Sequence, residues 1–332
     1  MVWARLRRDR ITLAAAGFVV VLVLAVFVGA PVAHRLLGHG PLEYFAYATN
    51  DEQKPVGPWT WVPDQASPVP TPTAKTPRTL FVLGADGQLG HDEFLQLLYG
   101  GQTTLEIAFG ATCISILFAV VFGAIGGYYG GALDGLFSRA TEFVAAFPFL
   151  LFVIALGYTI GARLNDVTLG FMQRGVLSLA LVIGLFTWAY PARIVRSQIL
   201  SLREQEFVEA ARMIGSRGTW IIRKHLLAHI GGTLAVYGSL VLATNIVLEA
   251  ALSVLNVGLQ QDTPDWGTML SNNYGTLLFR SGPSSGIGVG GIPLQVSAWT
   301  QVIPAAALLT TVVAFALLGE GIRRALDAPE SA

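Results

Sequence analysis

Six stretches of this chain carry no Asp, Glu, Lys or Arg: Ile11–Ala33, Ile107–Leu133, Phe143–Ala162, Gly175–Ala192, Ile230–Leu248 and Ser297–Gly319. Each approaches or exceeds the roughly 20 apolar residues that a helix needs to cross a bilayer core. The fourth is short and draws on its flanks, and the fifth continues past Glu249 to about Leu259. In lipid the backbone must satisfy its own hydrogen bonds, so such runs read as helices rather than strands. Only 13% of the chain is charged, against about 25% in an ordinary soluble domain. The expected fold class is an all-α membrane protein with six transmembrane helices.

The first window follows a basic start, Arg5, Arg7, Arg8 and Arg10. It is longer than the 7–15 residues of a typical signal-peptide core, so it reads as a retained first helix. With the N-terminus inside, 14 of the 21 basic residues fall on the cytoplasmic side and seven outside. Basic residues concentrate on the inner face, so both termini are expected in the cytoplasm.

Several function classes drop out. A formal net charge of zero suggests no nucleic-acid partner. A single cysteine, Cys113, allows neither an intramolecular disulfide nor a cysteine metal cluster. The five histidines never form HExxH, so no zinc-hydrolase helix is expected. Gly282-Pro283-Ser284-Ser285-Gly286 matches GxSxG but sits in a Gly-rich loop without the strand and helix that a nucleophile elbow needs. No GxxxxGK[ST] occurs, so the chain carries no phosphate-cradling loop of its own.

Between the windows the chain divides into residues 1–37, 38–104, 105–327 and 328–332. The 38–104 segment is extracytoplasmic and proline-rich, and is expected to be mostly extended or irregular. Trp59 and Trp61 within it suit either a membrane interface or a partner protein. A second outside loop spans 260–298. Glycines 123, 126, 127, 130 and 131 read as a close helix-packing surface. Arg193 and Arg196 read as headgroup anchors at the inner end of the fourth span, with ATPase docking as the alternative. Glu249 is an intramembrane charge that either lines a pathway or pairs structurally.

The cytoplasmic loop 201–229 is charged yet helical in pattern. Phe207, Ala210, Ala211 and Ile214 recur at i, i+3, i+4 and i+7. Glu204, Glu206 and Glu209 favour the N-terminal end of that helix, Gly215 ends it, and Trp220–Leu227 reads as a second helical stretch. The stripe suits either lipid or a groove on a partner.

At this loop the residues resemble a known family. Glu209-Ala210-Ala211, three residues, Gly215, nine residues and His225-Leu226-Leu227 resemble the EAA loop of ABC importer permeases, with Ala228 where the family has proline. Gly84-Ala85-Asp86 to Gly90-His91-Asp92, Gly126–Gly131 with Asp134 and Ala146-Phe147-Pro148, Ala192–Arg196 with Leu200–Glu204, Glu249–Ser253, Pro264–Gly267, and Leu318–Asp327 are similar, in order, to the C-type permease of dipeptide and oligopeptide importers. The resemblance covers about Leu83 to Asp327, while the insert Gly38–Leu80 is longer than the family leads one to expect.

The resemblance implies a type I ABC importer permease fold with a cytoplasmic coupling helix. It implies a non-catalytic subunit that binds no cofactor, with ATP and magnesium on two partner ATPase subunits. A second, B-type permease and an extracytoplasmic substrate-binding protein complete the implied assembly. Phe207, Glu209, Ala210, Ala211, Ile214 and Gly215 would couple to the ATPase, and Trp59 and Trp61 are candidates for binding-protein contact. Short peptides are the expected cargo. Another solute such as nickel, or an ATP-independent secondary transporter, are the alternatives.

Overall fold

The computed structural model describes residues 9–48, 55–65, 72–73, 76–86, 90–148, 151, 175–255, 257, 259, 263–271 and 298–327. The third apolar window falls outside the described residues from 149 onward, save Leu151, and so do the GxSxG match, most of the 260–298 loop and the 328–332 tail.

Among the described residues the helices are α1 (Arg10–Leu37), α2 (Glu93–Tyr129), α3 (Gly131–Ala146), α4 (Val176–Thr187), α5 (Ala189–Leu202), α6 (Glu206–Met213), α7 (Gly218–Val254) and α8 (Ala298–Asp327). Four of them, α1, α2, α7 and α8, are each long and apolar enough to cross a membrane, and α4 with α5 makes a fifth if counted as one span bent by 48°. Pro191 supplies the break: it has no N–H to offer the Thr187 carbonyl at the joint. Pro31 acts similarly in α1, where Ala25–Gly29 widens into a π turn.

The bundle forms around α2, which packs against α1, α3, α4, α5 and α7, while α8 closes against α7 and α1. Val26 of α1, Leu105 and Ala108 of α2, Leu242 and Ile246 of α7, and Phe315 of α8 share one core. Ile107, Ala111, Leu179, Ile183 and Leu252 form the next. Outward positions are apolar as well: Val21, Leu36, Leu117, Leu136 and Leu309 are all exposed. Helices apolar on both faces belong in lipid.

The glycine reading holds at two contacts. A Cβ at Gly123 would come within 2.7 Å of the Ala192 carbonyl, and one at Gly127 within 3.0 Å of the Arg196 carbonyl, so α2 and α5 meet backbone to backbone.

The second span starts at Glu93, inside the segment assigned to the outside by charge. Asp92 caps it, Oδ1 accepting the amides of Phe94 (2.8 Å) and Leu95 (3.2 Å). Its Oδ2 meets Nε2 of buried His39 at 3.0 Å, and Nδ1 of that ring faces the Leu37 carbonyl at 3.2 Å. Burial pulls the His39 pKa down, but the Asp92 carboxylate, the carbonyl and Glu43 more than offset it and raise it overall.

This histidine belongs to a small folded module, in which extended and irregular chain is gathered around a core of its own. Strands β1 (Thr60–Pro63) and β2 (Arg78–Phe81) pair antiparallel, Val62 opposite Thr79. Phe45, Ala48, Val62, Phe81 and Ala85 form its core, with the His39 ring stacked on Phe81. Neither strand has a proline in its interior: Pro63 ends β1 and Pro77 precedes β2.

Candidate coupling site

Helix α6 crosses the end of the bundle between α5 and α7. Its inner face is Val208 and Ala211, buried with Ala124, Val195, Ile199, Ile221, Leu226 and Ile230, and Phe207 packs against that cluster. The Phe207 ring stacks on His229 with centroids 4.8 Å apart. The Arg212 guanidinium lies 5.2 Å from the Tyr128 ring centroid, tying α6 to the end of α2.

These contacts revise the stripe inferred from periodicity. Ala211, at 6% exposure, faces this chain's own core, and Phe207 is partly buried beside it. Ala210 and Glu209 face outward. So do Met213 at 83% exposure and Ile214 at 81%. Met213 escaped the sequence reading. Positions 210, 213 and 214 also recur at i, i+3 and i+4, and periodicity alone does not choose between adjacent faces of a short helix.

The terminus follows the expected chemistry. Gly215 takes φ 79°, its amide bonds the Arg212 carbonyl (2.9 Å), and Ser216 bonds the Ala211 carbonyl (3.1 Å). That is a Schellman cap, which wants glycine because the left-handed region penalises a Cβ. A side chain at 215 would meet no atom within 4 Å, so the constraint is backbone conformation alone. Gly215→Val should therefore loosen the end of α6 by about 1–2 kcal/mol, and Gly215→Asn by less. Faster trypsin cleavage at Arg212 and Arg217 of the purified valine variant is the expected readout; equal rates in valine variant and wild type would refute it.

The Trp220–Leu227 stretch is helical, as its pattern predicts. It is the start of α7, which runs from Gly218 without interruption through a π turn at Ile222–Leu226. Ala228 permits this, since a proline there could not donate along the helix.

The profile of the family described as "Binding-protein-dependent transport system inner membrane component" matches residues 119–329, from the middle of α2 through the end of α8. The chain belongs to this permease family. It is 34% identical over 238 residues to the oligopeptide transport system permease protein OppC of Haemophilus influenzae, covering 72% of this chain and 67% of that one. It is 32% identical to the dipeptide transport system permease protein DppC of Alkalihalophilus pseudofirmus, covering 72% and 69%. A glutathione transport system permease protein, GsiD of Escherichia coli O6:K15:H31, is 28% identical over 98% of this chain and 88% of its own length.

The remaining candidate residues of the permease fall as follows. Arg196 is not a free headgroup anchor: it forks onto Asp134 at the start of α3, Nη2 to Oδ2 at 2.6 Å. Nearby Arg203 donates to the Gly127 carbonyl at 3.0 Å and so satisfies the end of α2. Arg193 lines a small pocket of about 120 Å³ with Phe122, Phe137, Thr141 and Glu142. Glu249 is fully buried and accepts from Ser253 at 3.3 Å. Trp59 and Trp61 project from the hairpin at 71% and 60% exposure. Trp59 does so with φ 58°, rare for a bulky residue.

Proposed function

We propose that this permease is one of two membrane subunits of an ATP-driven importer and moves short peptides delivered by an extracytoplasmic binding protein. The observation that carries the coupling part is the Met213–Ile214 tip. Two large apolar side chains stand almost fully exposed on a helix whose other face is locked into the bundle. Apolar surface of that kind marks a protein contact, and a rigid mount lets the contact transmit movement. In this reading α6 is the coupling helix and seats in a groove on an ATPase subunit. ATP and magnesium reside on the ATPases, and transport proceeds by alternating access. Peptides are the cargo class favoured by the relatives named for oligopeptide, dipeptide and glutathione transport.

The topology that goes with it has six spans in the bacterial inner membrane, with both termini and α6 in the cytoplasm. The sixth span is the apolar window beginning at Phe143. The module bearing Trp59 and Trp61 then faces the binding protein. The test is reconstitution with a B-type permease, two ATPases and the binding protein in proteoliposomes. Peptide uptake should require ATP and all partners. Single cysteines at Ser67 and Ser216 in a Cys113→Ser background should label from outside and inside respectively. Uptake without the ATPases would make the chain a secondary transporter, and labelling of 216 but not 67 from outside would invert the topology.

A further inference from the structure

The second outside loop returns to the bundle at Asp265–Trp266–Gly267, and there two acidic side chains are sealed together. Glu249 of α7 and Asp265 each have no solvent exposure. Both acids lie against Ser253: its hydroxyl is 3.3 Å from Oε1 of Glu249, and a Cβ on Gly267 would sit 2.6 Å from the Ser253 Cβ and 3.0 Å from Oδ1 of Asp265. Among the described residues neither acid forms an ion pair with a Lys, Arg or His. Two bare carboxylates in so dry a place would cost far more than the surrounding contacts return.

Hydrogen-bond counting says how the charge is relieved. Oδ1 of Asp265 accepts the amides of Gly267 (2.7 Å) and Thr268 (2.9 Å). Oε1 of Glu249 accepts from the Ser253 hydroxyl at 3.3 Å. That hydroxyl has one proton to give, so it serves a single acid as donor. The atoms left without partners are Oε2 of Glu249 and Oδ2 of Asp265, one on each acid. Among the described residues the neighbouring helices meet this level through apolar side chains: α4 through Leu179 and Ile183 beside Leu252, and α8 meets α7 through Phe315.

We propose that Glu249 and Asp265 hold a single proton on their otherwise unpartnered oxygens and together form a proton-dependent latch. Asp265, with two backbone amides on Oδ1, is the carboxylate of the pair, and Glu249, in an apolar helix, is the acid. The latch holds the loop against both long helices. Trp266 donates its indole N–H to the Leu97 carbonyl (2.9 Å), and a Cβ on Gly267 would strike the Ala250 carbonyl at 2.7 Å. Removing the proton places two negative charges in one dry site and releases the loop from α7.

The test is infrared spectroscopy of the purified permease at neutral pH, in a Glu93→Gln background. That change removes another buried carboxyl whose oxygens lack partners. A protonated-carboxyl band should be present, vanish in Glu249→Gln, and shift but persist in Asp265→Asn, whose side-chain oxygen can still accept the two amides. Glu249→Gln mimics the protonated acid and should assemble normally. The native pair keeps a proton that the unfolded chain has released, so wild-type thermal stability should fall relative to Glu249→Gln as pH rises above the ordinary carboxylate range. Absence of the band in the parent protein overturns the proposal, even if a variant fails to fold. So does a Glu249-dependent rise in melting temperature on adding sodium or calcium, which would mean that a cation holds the pair.

Discussion

Replacing Met213 and Ile214 together with aspartate should abolish ATP-driven uptake while leaving the permease folded and inserted. Neither side chain contributes to the bundle, since both stand exposed at the outer corner of α6. Seating them in an ATPase groove would bury about 1.5–3 kcal/mol of apolar side chain each. Losing both should weaken ATPase association by about 100-fold or more, before counting the desolvation of two carboxylates. The measurement is copurification of the ATPase subunits, with the melting temperature of the isolated permease as the control. Ala211→Asp is the informative contrast: it puts a charge among Val195, Ile199 and Leu226 and should lower that melting temperature itself. Normal uptake by the double variant would remove α6 as the driven element.

Trp266→Ala should destabilise the permease in detergent by about 3–5 kcal/mol, the usual cost of truncating a buried tryptophan. The ring is 1% exposed and lies against Gly101, where a Cβ would come within 2.7 Å of it. Its backbone amide donates to the Thr104 hydroxyl at 3.3 Å. Trp266→Phe keeps most of the packing and gives up one hydrogen bond, a loss of about 1 kcal/mol. Thermal unfolding should therefore order the three proteins wild type, phenylalanine, alanine. An alanine variant as stable as wild type would show that this loop is not tethered.

The four helices long and apolar enough to cross a membrane, and the bent α4–α5 pair, were legible because lipid forbids charge, and a charge-free run is visible without any partner. Their ends were less legible. Glu93 and Glu106 broke the apolar run, yet α2 continues to Glu93 because Asp92 caps it and the folded module covers its first turn. The module itself hid behind its prolines: they suggested extended chain, while the few residues of β1 and β2 that build its core are too short a pattern to stand out. At the coupling site the helix, its acidic start and its glycine stop could all be read from local chemistry. Which face turns inward could not, since that depends on Val195, Ile199 and Ile221, remote in sequence from Ala211 or on its far side. Glu249 announced itself as a charge amid apolar residues. Its counterpart Asp265 did not, because it lies past the end of α7, where the chain must turn back to bring the two together.

Helix α2 has 37 residues without a break. At about 1.5 Å per residue it is roughly 55 Å long, nearly twice the ~30 Å hydrocarbon thickness. Its two ends hold different machinery. At one, Asp92 grips His39 and the Trp-bearing hairpin module; at the other, Tyr128 lies under Arg212 of α6 and Gly127 receives Arg203. An unbroken rod gripped at both ends is a lever arm. A tilt of roughly 10° about its middle would carry each tip about 5 Å in opposite directions. Displacement of α6 and displacement of the hairpin module are then one motion seen from the two ends of α2, and a stiff helix needs no relay of side chains between them.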